Sequence, residues 1–271
     1  MSIAVEIKCG LGTQLFSYAC ARSVALKNNT DLFLDISWYD NIPSQLRQRE
    51  QRRLFERYEL HNFNIKGVVI NSRVGVFYKE KHFQFDPDVL NVGSDTYLKG
   101  TFASWKYFSD FQDEIRTDLV SKKPLSDEAQ KVLRMINCQN SVDIHVRRTD
   151  FIDSPHDYCN EAYYTKIIDV IMYADLTAYF FIFSDDPLWC EEIFKKYKNR
   201  MCIIRHQDSV EDLILRSNCR VHVIPNSAWG WWGAWLDPNP NKIVYCPSKW
   251  VKLAGYDSID VFPPSWIRVD V

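Results

Sequence analysis

The chain has 271 residues, 46% hydrophobic and 14% aromatic, enough for one large or two medium domains with a substantial core. Its formal net charge is −2, with an ordinary charged fraction of 25%, so the balance carries no footprint of a nucleic-acid binder or of an acidic-membrane binder. Apolar runs such as Ala178–Phe183 are far too short to span a bilayer, which argues against a transmembrane segment.

The N-terminus MSIAVEIKCG has no basic region ahead of a long apolar stretch, so no signal peptide or anchor is expected. Eight cysteines are scattered singly, with no C-x-x-C pair, which disfavours a zinc knuckle or a thioredoxin-like site. Reduced thiols in a cytoplasmic protein are the expectation, with peripheral attachment at a membrane face as the alternative.

In chain order, Ile3–Lys8 predicts a short buried strand, and a Gly10-Leu11-Gly12 turn follows. Gln14–Lys27 has helical spacing and Asp31–Asp35 reads as the next strand, giving an opening β-α-β unit. Residues 40–66 are polar and Arg-rich. They read either as a basic patch for acidic ligands or as a solvated excursion, and the interleaved acidic residues favour the second. Asp113–Ser121 is predicted helical. Lys122-Lys123-Pro124 is the expected domain boundary, dividing the chain into 1–123 and 124–271.

Beyond it, Ser126 caps a helix running to Ile136. Strands are then predicted at Val142–Arg147, Tyr179–Phe183, Met201–Arg205, Val221–Ile224 and Lys242–Tyr245. Helices alternate with them at Glu161–Met172, Pro187–Tyr197, Val210–Arg216 and Ala228–Trp235. Asp186 is the expected cap of the second of these helices, with Pro187 in its first turn. Such alternation predicts an α/β fold with a mostly parallel sheet.

Open parallel sheets bind ligands beyond the carboxyl ends of their strands. Three predicted strand ends carry polar groups: His145 with Arg147 and Arg148, Ser184 with Asp185 and Asp186, and Asn226 with Ser227. If they converge, they offer two guanidiniums for phosphates, a carboxylate for ribose hydroxyls or guanine N–H donors, and a helix N-terminus that favours an anion. That set suits a nucleoside diphosphate. Each element also has a plainer reading. HVRR fits the solvated face of an edge strand, and capping alone accounts for Asp186. The tryptophans of AWGWWGAWL fit a core as well as a sugar platform, with Gly230 and Gly233 letting that bulk pack closely. The GLGTQ loop lacks the third glycine of a dinucleotide fingerprint, since Leu15 stands there, so a glycine turn near a phosphate is the most it supports.

Taken together, the stretches GLGTQLFSYACARSVA, YLKGTFASWKYF, HVRRTDF, FIFSDDPLWC, NSAWGWWGAWL and CPSKW resemble the α-1,2-fucosyltransferase family, glycosyltransferase family 11. They occur in order over about residues 8–250. Fucosyltransferases of the α-1,6 and protein-O types share the two-arginine motif, some with Thr after it as in this chain. The resemblance implies a GT-B-like fold of two Rossmann-type domains facing a central cleft, with the N-terminal one on the acceptor side and the C-terminal one on the donor side. It implies GDP-β-L-fucose as co-substrate, a galactose-containing glycan acceptor, inversion at the anomeric carbon, and neither metal nor cofactor.

On the matched positions, His145, Arg147 and Arg148 are expected to face the donor diphosphate. Ser184, Asp185, Asp186, Asn226 and Ser227 are expected to hold the nucleotide, and Gly10, Gly12, Thr13 and Gln14 to close over it. Arg147 is expected to stabilise the leaving phosphate. Asp150 is the first candidate for taking the acceptor proton, with Asp153 and His156 next. The chain departs from the family pattern at Thr13, Ala103, Thr149, Trp229 and Gly230, which bears on acceptor and donor sugar more than on fold. Two rival readings are a transferase using another GDP-sugar or linkage, and a sugar- or nucleotide-binding protein without transfer activity.

Overall fold

A computed structural model describes residues 2–40, 57–205, 208–253 and 259–270; most of the Arg-rich stretch lies outside the described residues. The chain forms two compact units, Met1–Lys123 with Asp257–Phe262, and Pro124–Tyr256 with Pro263–Val271. Each is a parallel α/β unit.

In the first unit, β1 (Ser2–Glu6), β2 (Asp31–Asp35), β3 (Val68–Ile70), β4 (Val76–Lys79) and β5 (Thr96–Lys99) form a sheet ordered β3-β2-β1-β5-β4. Every pairing in it is parallel. Helix α1 (Leu11–Asn28) crosses from β1 to β2 and is buried along most of its length, including Leu15, Phe16, Tyr18 and Ala19. It starts earlier than the predicted Gln14, because Gly10 is its N-cap in ordinary extended backbone (φ −77°, ψ 168°) and Gly12 lies inside the first turn. The left-handed residue at this corner is Cys9, at φ 58°. A short helix α2 (Gln112–Asp118) follows, and its Asp118 accepts from the Tyr18 hydroxyl at 2.8 Å and pairs with Arg22 at 2.9 Å.

In the second unit, α3 (Asp127–Asn137) starts where Ser126 Oγ accepts the Ala129 N–H. Then come β6 (Asn140–Val146), α4 (Glu161–Ala174), β7 (Ala178–Ser184) and α5 (Pro187–Ile193). They are followed by β8 (Met201–Ile204), α6 (Ser209–Ser217), β9 (Val221–Val223), α7 (Ala228–Leu236), β10 (Ile243–Pro247) and β11 (Ile267–Val269). The helix predicted to reach Tyr197 stops at Ile193. Phe194 turns out of helical geometry and buries its ring, and Lys195–Arg200 continue as a 3-10 turn.

The sheet order is β11-β10-β9-β6-β7-β8, again with parallel pairings. The chain winds outward from β6 through β7 to β8, returns to place β9 against the other side of β6, and winds outward again. The switch point between β6 and β9 is where a parallel sheet opens a crevice at its carboxyl edge. β6 is therefore central, which overturns the reading of HVRR as the solvated face of an edge strand. Val142, Ile144 and Val146 pack into a core with Phe180, Ile182 and α4, while Asp143 and His145 occupy the opposite face, also buried.

Candidate active site

β6 and β7 run in register from Asn140↔Ala178 to Val146↔Ser184, so the segments that follow them leave the sheet side by side. Asp185 organises that corner. Its Oδ1 accepts the Arg148 backbone N–H at 2.9 Å, and its Oδ2 accepts the Thr149 hydroxyl at 2.6 Å and lies 3.2 Å from Nη1 of Arg147. Nη2 of Arg147 pairs with Asp150 at 2.7 Å, and the Arg147 guanidinium lies 5.7 Å from the Phe151 ring centre. Arg148 pairs through Nε with Asp186 at 3.2 Å and lies 4.1 Å over the Trp189 ring. Asp186 at the same time caps α5, accepting the Trp189 N–H at 3.1 Å, while its own N–H donates to Ser184 Oγ at 2.9 Å. Two consecutive residues thus carry partly exposed guanidiniums at one strand end, each held by carboxylates. A planar fork held this way is preorganised for a phosphate, and a diphosphate would compete with the carboxylates for it.

His145 sits behind the arginines. It is buried, edge-on to Trp229 with ring centres 4.8 Å apart, and its Nδ1 has no hydrogen-bond partner. Burial, reinforced by the positive charges of Arg216 and Arg147, pushes its pKa well below the usual histidine value. The ring is therefore neutral at pH 7. Gly230 makes its place: a Cβ there would lie 2.6 Å from Nδ1 of His145.

Below His145 on the same face of β6, Asp143 accepts two hydrogen bonds of 2.9 Å each from the Arg216 guanidinium of α6. Arg216 is fully buried and also donates to the carbonyls of Trp229 and Gly230 at 3.2 and 3.0 Å. His222, the registered neighbour of Asp143 on β9, bridges Asp143 and Asp237 at 3.2 Å each. Burial raises the Asp143 pKa, but the charges and hydrogen bonds of Arg216 and His222 outweigh it and hold the carboxyl below its ordinary value. This network ties β6 to the first turn of α7. Its one signal in the sequence is a polar face on a strand destined for the middle of a sheet, Asp143 and His145 of β6. Gly233 serves it: a Cβ there would lie 2.6 Å from the Arg216 guanidinium carbon. The two glycines make room for His145 and Arg216, not for the tryptophans.

The other expected site residues divide. Ser227 caps α7 through the Gly230 N–H, so the N-terminus of that helix stands at the switch point. Asn226 is buried and committed, donating to the carbonyls of His156 at 3.0 Å and Trp250 at 2.6 Å. It fastens the loop after Arg148 to the loop around Trp250. In the loop after Arg148, His156 packs tilted against Phe151 with ring centres 5.1 Å apart, and burial, opposed in part by the Asp150 charge, lowers its pKa. Asp153 takes a left-handed φ of 58°.

In the first unit, Gly10 and Thr13 stand at the start of α1, whereas Gln14 is fully buried. The Gln14 amide donates to the carbonyls of Cys9 at 2.9 Å and Arg57 at 2.7 Å and accepts the Glu59 N–H at 2.9 Å, so it staples the turn from inside. Tryptophans 231, 232 and 235 pack on one another as core, which decides against a sugar platform there. Among the described residues no group of three or more His, Cys, Asp or Glu side chains is placed to hold a metal ion, and no helix is long and apolar enough to cross a membrane.

A family model described as "Glycosyl transferase family 11" matches residues 2–269. An alpha-1,2-colitosyltransferase of Escherichia coli is 28% identical over the whole of both chains. A galactoside alpha-(1,2)-fucosyltransferase 1 of Ateles belzebuth is 26% identical over 64% of this chain and 52% of its own. Among solved structures, the fucosyltransferase NodZ from Bradyrhizobium superposes with a TM-score of 0.54 at 15% identity, covering 88% of this chain and 93% of that one, a likeness of fold.

Proposed function

We propose, from the premise that the chain belongs to glycosyl transferase family 11, that it moves L-fucose from GDP-β-L-fucose onto the 2-hydroxyl of a galactose in a glycan acceptor. The observation that carries this reading is the pair of carboxylate-held guanidiniums, Arg147 and Arg148, at the carboxyl end of β6, the strand that borders the topological switch point of the second unit. Two forks beside the N-terminus of α7 match the charge of a nucleoside diphosphate better than any other class of ligand.

The second unit is then the donor side and the first unit the acceptor side. The reaction is a single displacement with inversion. The acceptor oxygen forms its bond to fucose C1 as the bond from C1 to the phosphate oxygen breaks, and the electron pair leaves on the β-phosphate of GDP. Arg147 stabilises that growing charge, with Arg148 beside it, in place of a metal ion. The acceptor proton passes to the carboxylate of Asp150. Asp150 stands beside Arg147 at the same strand end, which places a proton acceptor next to the leaving-group cation. Asp185, Asp186 and Ser184 act by aiming the arginines. Ser227 presents the helix N-terminus, and Asn226 holds the loop behind it. Gly10, Gly12 and Thr13 are the first unit's ligand-binding turn in this reading, with Gln14 holding it from inside. No resident cofactor takes part.

A second reading is favoured by the colitosyltransferase that matches the whole chain. Colitose is L-fucose without its 3-hydroxyl, and the same diphosphate site serves either GDP-sugar. Incubating the protein with GDP-fucose or GDP-colitose and simple β-galactosides separates the readings. Acceptor-dependent GDP release from GDP-fucose, with an α-1,2 linkage in the product by NMR, supports the first. Turnover of GDP-colitose alone supports the second. GDP binding without turnover on any pair would make the chain a binding protein.

A further inference from the structure

The formal charge of −2 conceals a local segregation of charge in the second unit. The 3-10 turn Lys195–Arg200 reads KKYKNR, four cations in six residues with no anion. It lies against the outer face of α4. Lys196 pairs with Asp169 at 3.2 Å, the Tyr197 hydroxyl donates to the same carboxylate, and Arg200 donates to the Leu176 carbonyl. α4 buries Tyr163, Tyr164, Ile167, Ile168 and Ile171 in the core. Its outer stripe carries Lys166, Val170 and Tyr173 at helical spacing, and Leu176 follows just past its end. Val170 is 50% exposed, Leu176 69% and Tyr173 93%. Asp169 and Asp175 also lie here, the first taken up by Lys196 and the second by Thr177. Large apolar side chains this exposed, with cations in excess around them, are the composition of a surface that meets lipid headgroups. A tyrosine at the rim, apolar in body and polar at its tip, belongs to the same setting.

We propose that this surface, formed by α4 with Leu176 and the Lys195–Arg200 turn, docks the protein on an anionic lipid bilayer. Lys195 and Lys198 lead in meeting acidic headgroups while Val170, Tyr173 and Leu176 enter the interface. The position in the sheet supports this. α4 ends just before β7 begins, and the basic turn just before β8 begins, so the surface lies at the amino edge of the sheet. The arginine site lies at the carboxyl edge, a seven-residue β7 away, about 20 Å at the rise of a strand. Docking therefore leaves the site uncovered. This inference does not depend on which sugar is transferred.

The test is co-sedimentation of the full chain with phosphatidylcholine vesicles and with vesicles in which phosphatidylglycerol replaces part of that lipid. The wild type should pellet with the anionic vesicles and not with the neutral ones, and salt should release it. Lys195→Glu with Lys198→Glu should weaken that binding about tenfold or more. Tyr173→Ser with Leu176→Ser should weaken it while keeping the salt dependence. Both double variants should melt and bind GDP as the wild type does. Absence of binding to anionic vesicles, or binding unchanged in both variants, overturns the proposal. A concentration-dependent dimer that Tyr173→Ser dissolves would overturn it in favour of a self-association surface.

Discussion

Asp185 lies 3.2 Å from the guanidinium of Arg147 and accepts the backbone N–H of Arg148 at 2.9 Å, so one carboxylate holds the first cation and the main chain from which the second departs. With the Thr149 hydroxyl also on Oδ2, this carboxylate is engaged within the protein on both oxygens. Replacing Asp185 by Asn keeps the shape but removes the charge that holds Arg147. Turnover should fall by a factor equivalent to about 1–3 kcal/mol, the scale of a charged hydrogen bond. GDP affinity should change less than turnover, because the diphosphate itself can recruit the released arginine. Calorimetry and steady-state kinetics on the variant check this. A loss confined to GDP affinity would instead make Asp185 a ligand of the nucleotide.

The two glycines of α7 should fail in different ways. Gly233→Ala places a methyl 2.6 Å from the carbon of a fully buried guanidinium that is tied into Asp143 and two carbonyls. Misplacing that charge should lower stability by about 3–5 kcal/mol, the cost of breaking a buried ion pair. Gly230→Ala meets the neutral ring of His145. It should cost less stability but reduce turnover, since His145 is two residues from Arg147. Denaturant midpoints for the two variants test the ordering. Equal midpoints would show that the Arg216 network is not the stiffer element.

The pH dependence has a definite sign. Burial and the nearby Arg216 and Arg147 charges keep the His145 pKa well below the ordinary value of about 6.5. Below that value the unfolded chain binds a proton that the folded chain excludes. The contribution to stability is therefore fully present above about pH 6.5 and lost as pH falls toward the folded pKa. His156 shifts in the same direction. His145→Gln should make the fall in melting temperature between about pH 6.5 and 5 shallower than in the wild type. Parallel curves would mean that His145 protonates without penalty in the folded protein.

Much of the second unit was legible because its strands are buried on both faces and its helices start with capping side chains. Ser126 and Asp186 cap their helices as residue type alone predicted, and the run from Val142 to Arg147 sits beside that from Tyr179 to Phe183. β3, β4 and β11 were not legible, being three or four residues long and largely exposed, so no apolar alternation marks them. The site was legible as a set of residue types at strand ends and illegible as a division of labour. Asp143 and Arg216 are 73 residues apart and Asp143 and His222 are 79 apart, so only the parallel winding brings them together. For the same reason nothing local distinguishes Asn226 or Gln14 as internal staples from residues that reach a ligand.

Transfer should proceed in EDTA. The adjacent carboxylates Asp185 and Asp186 are both engaged within the protein, Asp185 with Arg147, Arg148 and Thr149, and Asp186 with Arg148 and the cap of α5. Initial rates of GDP release with and without the chelator test this. A large loss restored by Mg²⁺ or Mn²⁺ would place a metal where the arginines are assigned.

The most direct test of the central claim is the turnover of Arg147→Lys, measured as GDP release with saturating GDP-sugar and acceptor. Lysine keeps the positive charge but cannot span Asp150 and Asp185 with a planar fork, so the growing charge on the β-phosphate loses its preorganised donor. Turnover should fall about 10²-fold or more, the scale for removing one such donor. The melting temperature should stay near that of the wild type, because Arg147 is partly exposed at the end of its strand. Near-normal turnover, or a collapse of the melt that accounts for the loss, would contradict the assignment of Arg147 to the leaving group.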